Sequence, residues 1–214
     1  MTINPPAVRA QKLGLQLVTA LQKRHFEAYF CADEKEALSK ALELIPPQDV
    51  VSWGGSSSIK EIGILEALSK RNQPVVDRDT ASSPLERQEL MRRALLCDTF
   101  LMGANAVSQD GQLVNIDANG NRTAALMYGP KQVIVFVGIN KLAHKLEDAV
   151  IRARTVAAPT NAQRFTDNKT PCLMTGACAD CTAADSICAH LVITRLCRPA
   201  GRIKVIVVGK PLGY

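Results

Sequence analysis

The chain alternates between two spacings of its apolar positions, one typical of buried strands and one typical of amphipathic helices. Uninterrupted apolar runs favour strands, whereas recurrence every three or four residues favours helices. The runs predict strands at about 28–30, 50–53, 73–76, 133–138 and 203–208, and the recurrences predict helices over about 7–24, 37–45, 59–68, 84–96 and 141–157. Since strands and helices follow one another in turn, the sequence predicts an α/β fold with a mostly parallel, Rossmann-like sheet flanked by helices.

The middle and the end of the chain depart from this alternation. Between residues 99 and 138, short apolar stretches are separated by Asp110-Gly111 and Asn119-Gly120, which favour hairpin turns and predict a small antiparallel hairpin region. From Pro159 the helical periodicity lapses and a cysteine-rich stretch follows. We therefore expect one α/β domain over 1–160, with a short Cys-rich C-terminal appendix and a last strand in 161–214 that complete the same domain.

The turn after the second predicted strand has the composition of an anion-binding loop. It reads Trp53-Gly54-Gly55-Ser56-Ser57-Ser58 and leads into a predicted helix. Glycines let the backbone approach a ligand closely, serine hydroxyls donate hydrogen bonds, and free N–H groups at a helix start attract anions. Two interpretations stay open, a cradle for a phosphate or carboxylate and a plain strand-to-helix turn with a serine cap.

Loops at the ends of other predicted strands supply further candidates for ligand binding. Open α/β sheets place ligands at the carboxyl ends of their strands, where Asn, Arg and Lys can contact polar or anionic groups. These candidates are Gly103, Asn105, Gly111, Asn115, Arg122, Gly138, Asn140 and Lys141. Hairpin chemistry would also explain most of the Gly and Asn residues, and a solvated lysine at a helix start would explain Lys141.

Four cysteines near the C-terminus form the most specific chemical pattern in the chain. Cys172, Cys178, Cys181 and Cys188 give the spacing C-x5-C-x2-C-x6-C. Thiolates two residues apart can bind one ion, and four can close a tetrahedral Zn²⁺ site or ligate an iron–sulfur cluster. The spacing matches neither a ferredoxin run nor a standard zinc finger, so zinc, an iron–sulfur cluster and free, redox-switching thiols remain three alternatives.

Composition and charge narrow the class of partner and the compartment. The net charge is +6, but the basic residues are scattered and aromatic residues make up 4% of the chain, so nucleic-acid binding is not expected. The longest apolar runs are far shorter than a bilayer requires, and the first residues lack the pattern of a secretory signal, which predicts a cytoplasmic protein without a membrane span.

Taken in order, several of these motifs resemble one protein family. The resemblance rests on the Gly54-Gly55-Ser56 turn with Glu61, the Gly103-Ala104-Asn105 segment leading to Gly111, the strand end at 137–141 and the stretch at 157–162. They are similar to LUD-domain proteins, which are associated with lactate utilisation. The resemblance implies the fold shared by glucosamine-phosphate deaminase, ribose-phosphate isomerase and CoA transferases, in which sugar phosphates or acyl-CoA lie at strand-end loops, and it adds Glu61 to the candidate ligand-binding residues.

Three hypotheses of function follow from the motifs and the resemblance. The leading one is an accessory protein of organic-acid oxidation that binds a small anionic metabolite or a phosphate-bearing cofactor such as CoA, alongside partner oxidoreductase subunits. The second is an enzyme acting on a sugar phosphate or acyl-CoA, and the third is a metal- or redox-sensing regulator. The sequence assigns no catalytic residue, and the tendency of this fold to assemble predicts a homodimer.

Overall fold

A computed structural model describes residues 4–214 of the chain and contains two sheets. The strands, in chain order, are β1 (Glu27–Cys31), β2 (Val51–Trp53), β3 (Val75–Val76), β4 (Thr99–Gly103), β5 (Ala106–Ser108), β6 (Leu113–Asp117), β7 (Gln132–Gly138), β8 (Leu142–Ala143), β9 (His190–Thr194) and β10 (Ile203–Val208). Six of them form an all-parallel sheet in the order β1-β10-β7-β4-β2-β3. The predicted α/β fold with a mostly parallel sheet is confirmed.

Helices cover both faces of this sheet. They are α1 (Pro5–Lys23), α2 (Glu34–Leu44), α3 (Ser57–Ile62), α4 (Ile64–Lys70), α5 (Pro84–Arg93), α6 (Asn121–Met127), α7 (Leu146–Arg152), α8 (Ala158–Ala162) and α9 (Pro171–Thr175). Local sequence sets several of the starts, because Asp33 and Ser83 accept hydrogen bonds from backbone N–H groups in the first turns of α2 and α5. A π-helical turn, Ala153–Ala157, joins α7 to α8.

The core lies on the two faces of the large sheet. Alternate residues of β7 point to opposite sides, so that Val133, Val135 and Val137 pack with α1 while Ile134 and Phe136 pack with α2, α3 and α4. All five of these side chains are fully buried. Strands buried on both faces read as continuous apolar runs, which is why β7 and β10 could be found from the sequence.

A second, smaller sheet lies beside the carboxyl ends of the central strands. Its order is β8-β5-β6-β9, and β5 and β6 form the antiparallel hairpin predicted at Asp110-Gly111. A small apolar cluster between β5, β6 and the α7–α8 region attaches this sheet to the rest of the protein. Strand β9, which the sequence pattern did not indicate, adds antiparallel to β6.

Three local predictions were wrong, each for an identifiable reason. Asn119-Gly120 does not close a hairpin, because Gly120 adopts a left-handed conformation that starts α6. The helix predicted over 59–68 is interrupted at Gly63, which is also left-handed and separates α3 from α4. The helix predicted from residue 141 begins only at Leu146, since a 3₁₀ turn and the short strand β8 come first.

The C-terminal part of the chain contributes to both sheets. Strand β10 lies between β1 and β7, and β9 forms one edge of the small sheet. The predicted domain organisation, with a boundary near residue 160 and residues 161–214 completing the same domain, stays a prediction. Within residues 4–214, every helix is too short or too polar to cross a membrane.

Candidate functional site

A cleft of about 790 Å³ opens at the carboxyl edge of the large sheet. Its walls come from the segments that follow β2, β3, β4 and β7. The loop after β6, parts of residues 161–187 and the C-terminal residue Tyr214 complete the lining. Such a position is where open α/β sheets bind their ligands, and the volume lies in the range of sites for small molecules. The predicted turn at residues 53–58 lines this cleft, which is open and not filled by neighbouring side chains.

The serines of this turn have different roles. Ser57 Oγ donates to the hydroxyl of Tyr214 at 2.9 Å, and Ser58 Oγ accepts from Lys141 Nζ at 2.9 Å. Ser56 precedes α3 without a side-chain capping bond. Because α3 has only six residues, its dipole is a weak source of positive potential, and the charge of the cleft comes from side chains.

The glycines of the cleft allow close approach between its walls. A Cβ atom on Gly54 would lie 2.8 Å from Cδ of Arg122, and one on Gly103 would lie 2.8 Å from Oγ of Ser56. A Cβ on Gly55 would lie 2.6 Å from Nη2 of Arg78. Side chains at these positions would therefore push apart the groups that form the cleft.

Arg122 holds the loops of the cleft together. Its Nη1 donates to Gly103 O at 2.9 Å and to Asn115 Oδ1 at 2.7 Å. Its Nη2 donates to Asn105 Oδ1 at 3.1 Å and to Ile116 O at 2.5 Å. Burial lowers the pKa of this guanidinium, although the carboxylate of Asp117, 4.0 Å from Nε, opposes the effect. With these donors taken by protein oxygens, Arg122 positions the site and adds positive potential.

Lys141 is buried in the wall of the cleft without an ion-pair partner. The residue is 3% exposed, and its Nζ bonds to the Ser58 hydroxyl; no carboxylate among residues 4–214 lies within ion-pairing distance. Burial, together with the nearby charges of Arg152 and Arg122, lowers the pKa of the amine to about 7, although the charge of Glu61 acts in the opposite direction. Burying a charged amine without an ion-pair partner costs free energy of folding. Lys141 is therefore a candidate for a functional role.

Arg78 supplies a second cation with unused donors, and sequence reasoning missed it. It follows β3, its side chain is 16% exposed, and its buried Nε has no hydrogen-bond partner. Burial lowers the pKa of its guanidinium. Beside it, Asp79 pairs with Arg87 at 2.8 Å and lies 3.8 Å from Arg78 Nε. The strand-end argument could have found Arg78, since strand β3 was predicted and this residue comes two positions after it.

The structure brings nine of the fourteen predicted ligand-binding residues into the cleft lining and places the rest outside it. In the lining are Gly54, Gly55, Ser56, Ser57, Ser58, Gly103, Asn105, Arg122 and Lys141; outside it are Glu61, Gly111, Asn115, Gly138 and Asn140. Lining residues that the sequence did not indicate include Arg78, Asp79, Arg87, Asp117, Asn161, Arg164 and Tyr214.

Most of the predicted residues outside the cleft have local structural contacts. Asn140 bonds through its side chain to Leu212 N and Gly213 O, and Glu61 accepts from Gly213 N at 2.7 Å. Together they fix the C-terminal segment against the cleft, where Tyr214 contacts Ser57. Gly111 forms the tip of the β5–β6 hairpin and packs against α1, where a Cβ would lie 2.9 Å from Ala20.

The four cysteines of the C-terminal pattern lie around a separate cavity of about 290 Å³. Cys178 and Cys188 are exposed, Cys172 and Cys181 are half-buried, and all four are free thiols. Within residues 4–214, no three His, Cys, Asp or Glu side chains stand close enough together to ligate one metal ion as they are. Burial raises the pKa of the Cys188 thiol, and the other three cysteines contribute in the same direction.

Comparison with known proteins gives the family of the chain. The family profile described as the LUD domain matches residues 15–208. Among solved structures, the fold is similar to the crystal structure of a DUF162 family protein from Deinococcus radiodurans, with a TM-score of 0.55 and 13% sequence identity over 93% of this chain and 98% of that one. No curated protein matches. Because the profile spans most of the sequence, the chain belongs to the LUD-domain family.

Proposed function

We propose that the protein binds a small anionic metabolite, or the phosphate group of a larger cofactor such as CoA, in the cleft at the carboxyl edge of the large sheet. The observation that carries this proposal is the buried amine of Lys141, which has no carboxylate partner and faces the cleft. A bound anion would favour the protonated form of this amine, which burial disfavours, and would pair with its positive charge. Folded proteins rarely bury a cation without an anion that compensates its charge.

Arg78, which also lines the cleft, supports the same proposal. Its guanidinium lies against Gly55, and its Nε, 3.8 Å from Asp79 Oδ1, has no hydrogen-bond partner. A guanidinium with unused donors binds carboxylate or phosphate through paired hydrogen bonds, and the absence of a side chain on Gly55 lets this guanidinium lie against the turn. Lys141 and Arg78 line the same cleft, where they would offer a point charge and a planar donor to an anion.

The wider role follows from the family. LUD-domain proteins are associated with lactate utilisation, and we propose that this chain is an accessory subunit that holds an organic acid or its activated form for partner oxidoreductase subunits. This part of the proposal rests on the family association, whereas the anion site rests on the cleft.

A second function, catalysis in the same cleft, is favoured by one observation. An amine with a pKa of about 7 exchanges its proton readily near neutral pH, which suits Lys141 to act as a general acid or base. Turnover of a sugar phosphate or acyl-CoA that is lost in Lys141→Met would favour this function over binding alone.

The proposal is tested by thermal unfolding with a panel of anions at constant ionic strength. Inorganic phosphate, ribose 5-phosphate, CoA and lactate are compared with chloride. A ligand present at 100 times its dissociation constant should stabilise the protein by about 2.7 kcal/mol. Arg78→Gln should weaken that ligand about tenfold or more, because it removes a charge-assisted pair.

The matched control is Arg92→Gln, which removes an exposed arginine on α5 and should leave the dissociation constant unchanged. Stabilisation by no member of the panel, or equal affinities in Arg78→Gln and the wild-type protein, would contradict the proposal. Affinity should also fall as the pH rises above about 7, since the free amine of Lys141 loses its proton there.

A further inference from the structure

The segment at residues 163–189 is folded without a core of its own. Its one regular element is the five-residue helix α9, and Thr170 is its only buried residue. Chain stretches of this kind bury too little apolar surface to offset the conformational entropy of ordering. Small units with this deficit are usually held by disulfides or by a metal ion.

The four cysteines are the side chains in this segment that could provide such a cross-link. Cys172 lies in α9, Cys178 and Cys181 lie in the irregular loop that follows, and Cys188 comes just before β9. Although they are spread over the segment, all four line one cavity of about 290 Å³. One ion bound by them would join α9, the loop and the start of β9.

We infer that Cys172, Cys178, Cys181 and Cys188 bind one Zn²⁺ ion, which orders the segment at residues 163–189. Four sulfur ligands at tetrahedral positions form a closed structural zinc site. Binding requires the sulfurs to converge by rotation of the cysteine side chains and movement of the loop. The loop can move because its residues are exposed and no packed core resists them.

The charge at this cavity fits the proposed site. Each thiol that binds loses its proton, so four thiolates with one Zn²⁺ carry two negative charges. Arg154 lines the cavity and pairs with Asp180, which lies between Cys178 and Cys181 in the loop. Because this guanidinium is already paired with the Asp180 carboxylate, it would offset only a small part of the charge that zinc binding adds.

The inferred zinc site also adjoins the anion cleft, although it does not depend on the proposed function. Ile116, Ser186 and Ile187 line both cavities, so the loop before Cys188 forms one wall of the cleft. An ion that fixes this loop would also fix that wall. Loss of the ion is therefore expected to weaken anion binding without removing Arg78 or Lys141.

The first test is metal content and spectroscopy of the full-length chain, purified under reducing conditions. Elemental analysis should find about one zinc per chain, as four ligands for one ion require. Metal-free, reduced protein titrated with Co²⁺ should give the thiolate-to-cobalt charge-transfer bands of a tetrahedral site, saturating at one equivalent. Both signals should be lost in Cys178→Ser/Cys181→Ser and kept in Cys31→Ala, which removes a buried cysteine of the core.

The second test is proteolysis at aspartate, because Asp180 and Asp185 lie inside the segment. Removal of zinc by a chelator should speed cleavage at these two residues by about tenfold or more, while the circular dichroism of the main sheet is unchanged. Iron and sulfide in place of zinc, two disulfides in the natively purified chain, absence of Co²⁺ bands, or cleavage rates independent of metal would each overturn the inference.

Discussion

The proposed anion cleft and the segment at residues 163–189, called here the cysteine segment, share a wall. The two regions differ in how much of their structure is buried. The cleft is formed by loops at the ends of β2, β4 and β7, whose strands are almost completely buried. Residues 163–189 have one short helix and almost no buried side chains. Apolar burial therefore fixes the first region, whereas the second buries little apolar surface and, in our inference, is ordered by zinc bound to its cysteines.

The two regions also differ in the environment of their charged side chains. The cleft contains the buried amine of Lys141, whose charged form is disfavoured by burial and which lies beside strands with almost complete burial. In the cysteine segment the one ion pair, Arg154 with Asp180, is partly exposed and contributes little to stability.

The largest expected contrast is in amide hydrogen exchange. In metal-free protein, amides of β7 and β10 should exchange only by global unfolding, whereas those of residues 177–189 should exchange through local fluctuations. The two rates, corrected for intrinsic exchange, are expected to differ by at least about a thousandfold. Comparable protection in both regions without metal would remove the distinction between them.

The next largest effect is expected for Arg122→Gln. The substitution leaves oxygens of Gly103, Asn105, Asn115 and Ile116 without their donor in a buried place. Removing one member of such a buried charged network should lower the free energy of unfolding by about 3–5 kcal/mol. Urea unfolding measures this change, with Arg92→Gln, expected within about 0.5 kcal/mol of the wild type, as the control. A loss as small as that of the control would show that Arg122 does not hold the loops.

Lys141→Met tests the buried charge through the pH dependence of stability. The folded pKa of about 7 lies below the ordinary value of 10.5, so between these values the unfolded chain binds a proton that the folded protein does not. The contribution of Lys141 to the free energy of unfolding therefore rises with pH across this window and is least favourable below it. Lys141→Met should be stabilising below pH 7, with a gain that shrinks towards pH 10.5.

The control for this experiment is Lys12→Met, which removes an exposed lysine of α1 and is measured over the same pH range. A pH-independent difference for Lys141→Met would mean that the amine is solvated in the folded protein.

The smallest of these effects is expected for Gly55→Val. The new side chain meets the terminal nitrogen of Arg78, which is the flexible end of a long side chain, so the fold should be retained. Displacing this guanidinium should weaken the anion about tenfold, equivalent to about 1.4 kcal/mol. Calorimetric titration with the best anion of the panel measures it, and an unchanged dissociation constant would place the ligand away from this wall.

The sequence predicted the large sheet well and the small sheet only in part. Strands β7 and β10 are buried on both faces, and such strands appear as continuous apolar runs. Strand β9 lies at an edge with Leu191 and Ile193 partly exposed, and its pattern is set by pairing with β6. Leu191, Val192 and Ile193 form an apolar run of the kind that favours a strand, but a run of three residues is too short to identify a strand by pattern alone.

The candidate site was predicted in position and only partly in composition. The turn at residues 53–58 was found because its glycines and serines are a local signal. Lys141 was placed at a strand end, but its burial depends on packing against Ser58 and Gly213, residues far away in the chain. Gly111 was also predicted to bind the ligand, but it lies outside the cleft. Its lack of a side chain allows the β5–β6 hairpin to approach α1 closely.

The central proposal is that Lys141 and Arg78 together bind an anion beside the turn at residues 53–58. Heteronuclear NMR during titration with inorganic phosphate, with chloride at equal ionic strength as reference, tests it most directly. We expect saturable shifts of the Gly55 and Ser56 amides and of the Arg78 Nε–H, all abolished in Arg78→Gln/Lys141→Met. Shifts that are absent, that do not saturate, or that persist in this double variant would contradict the account.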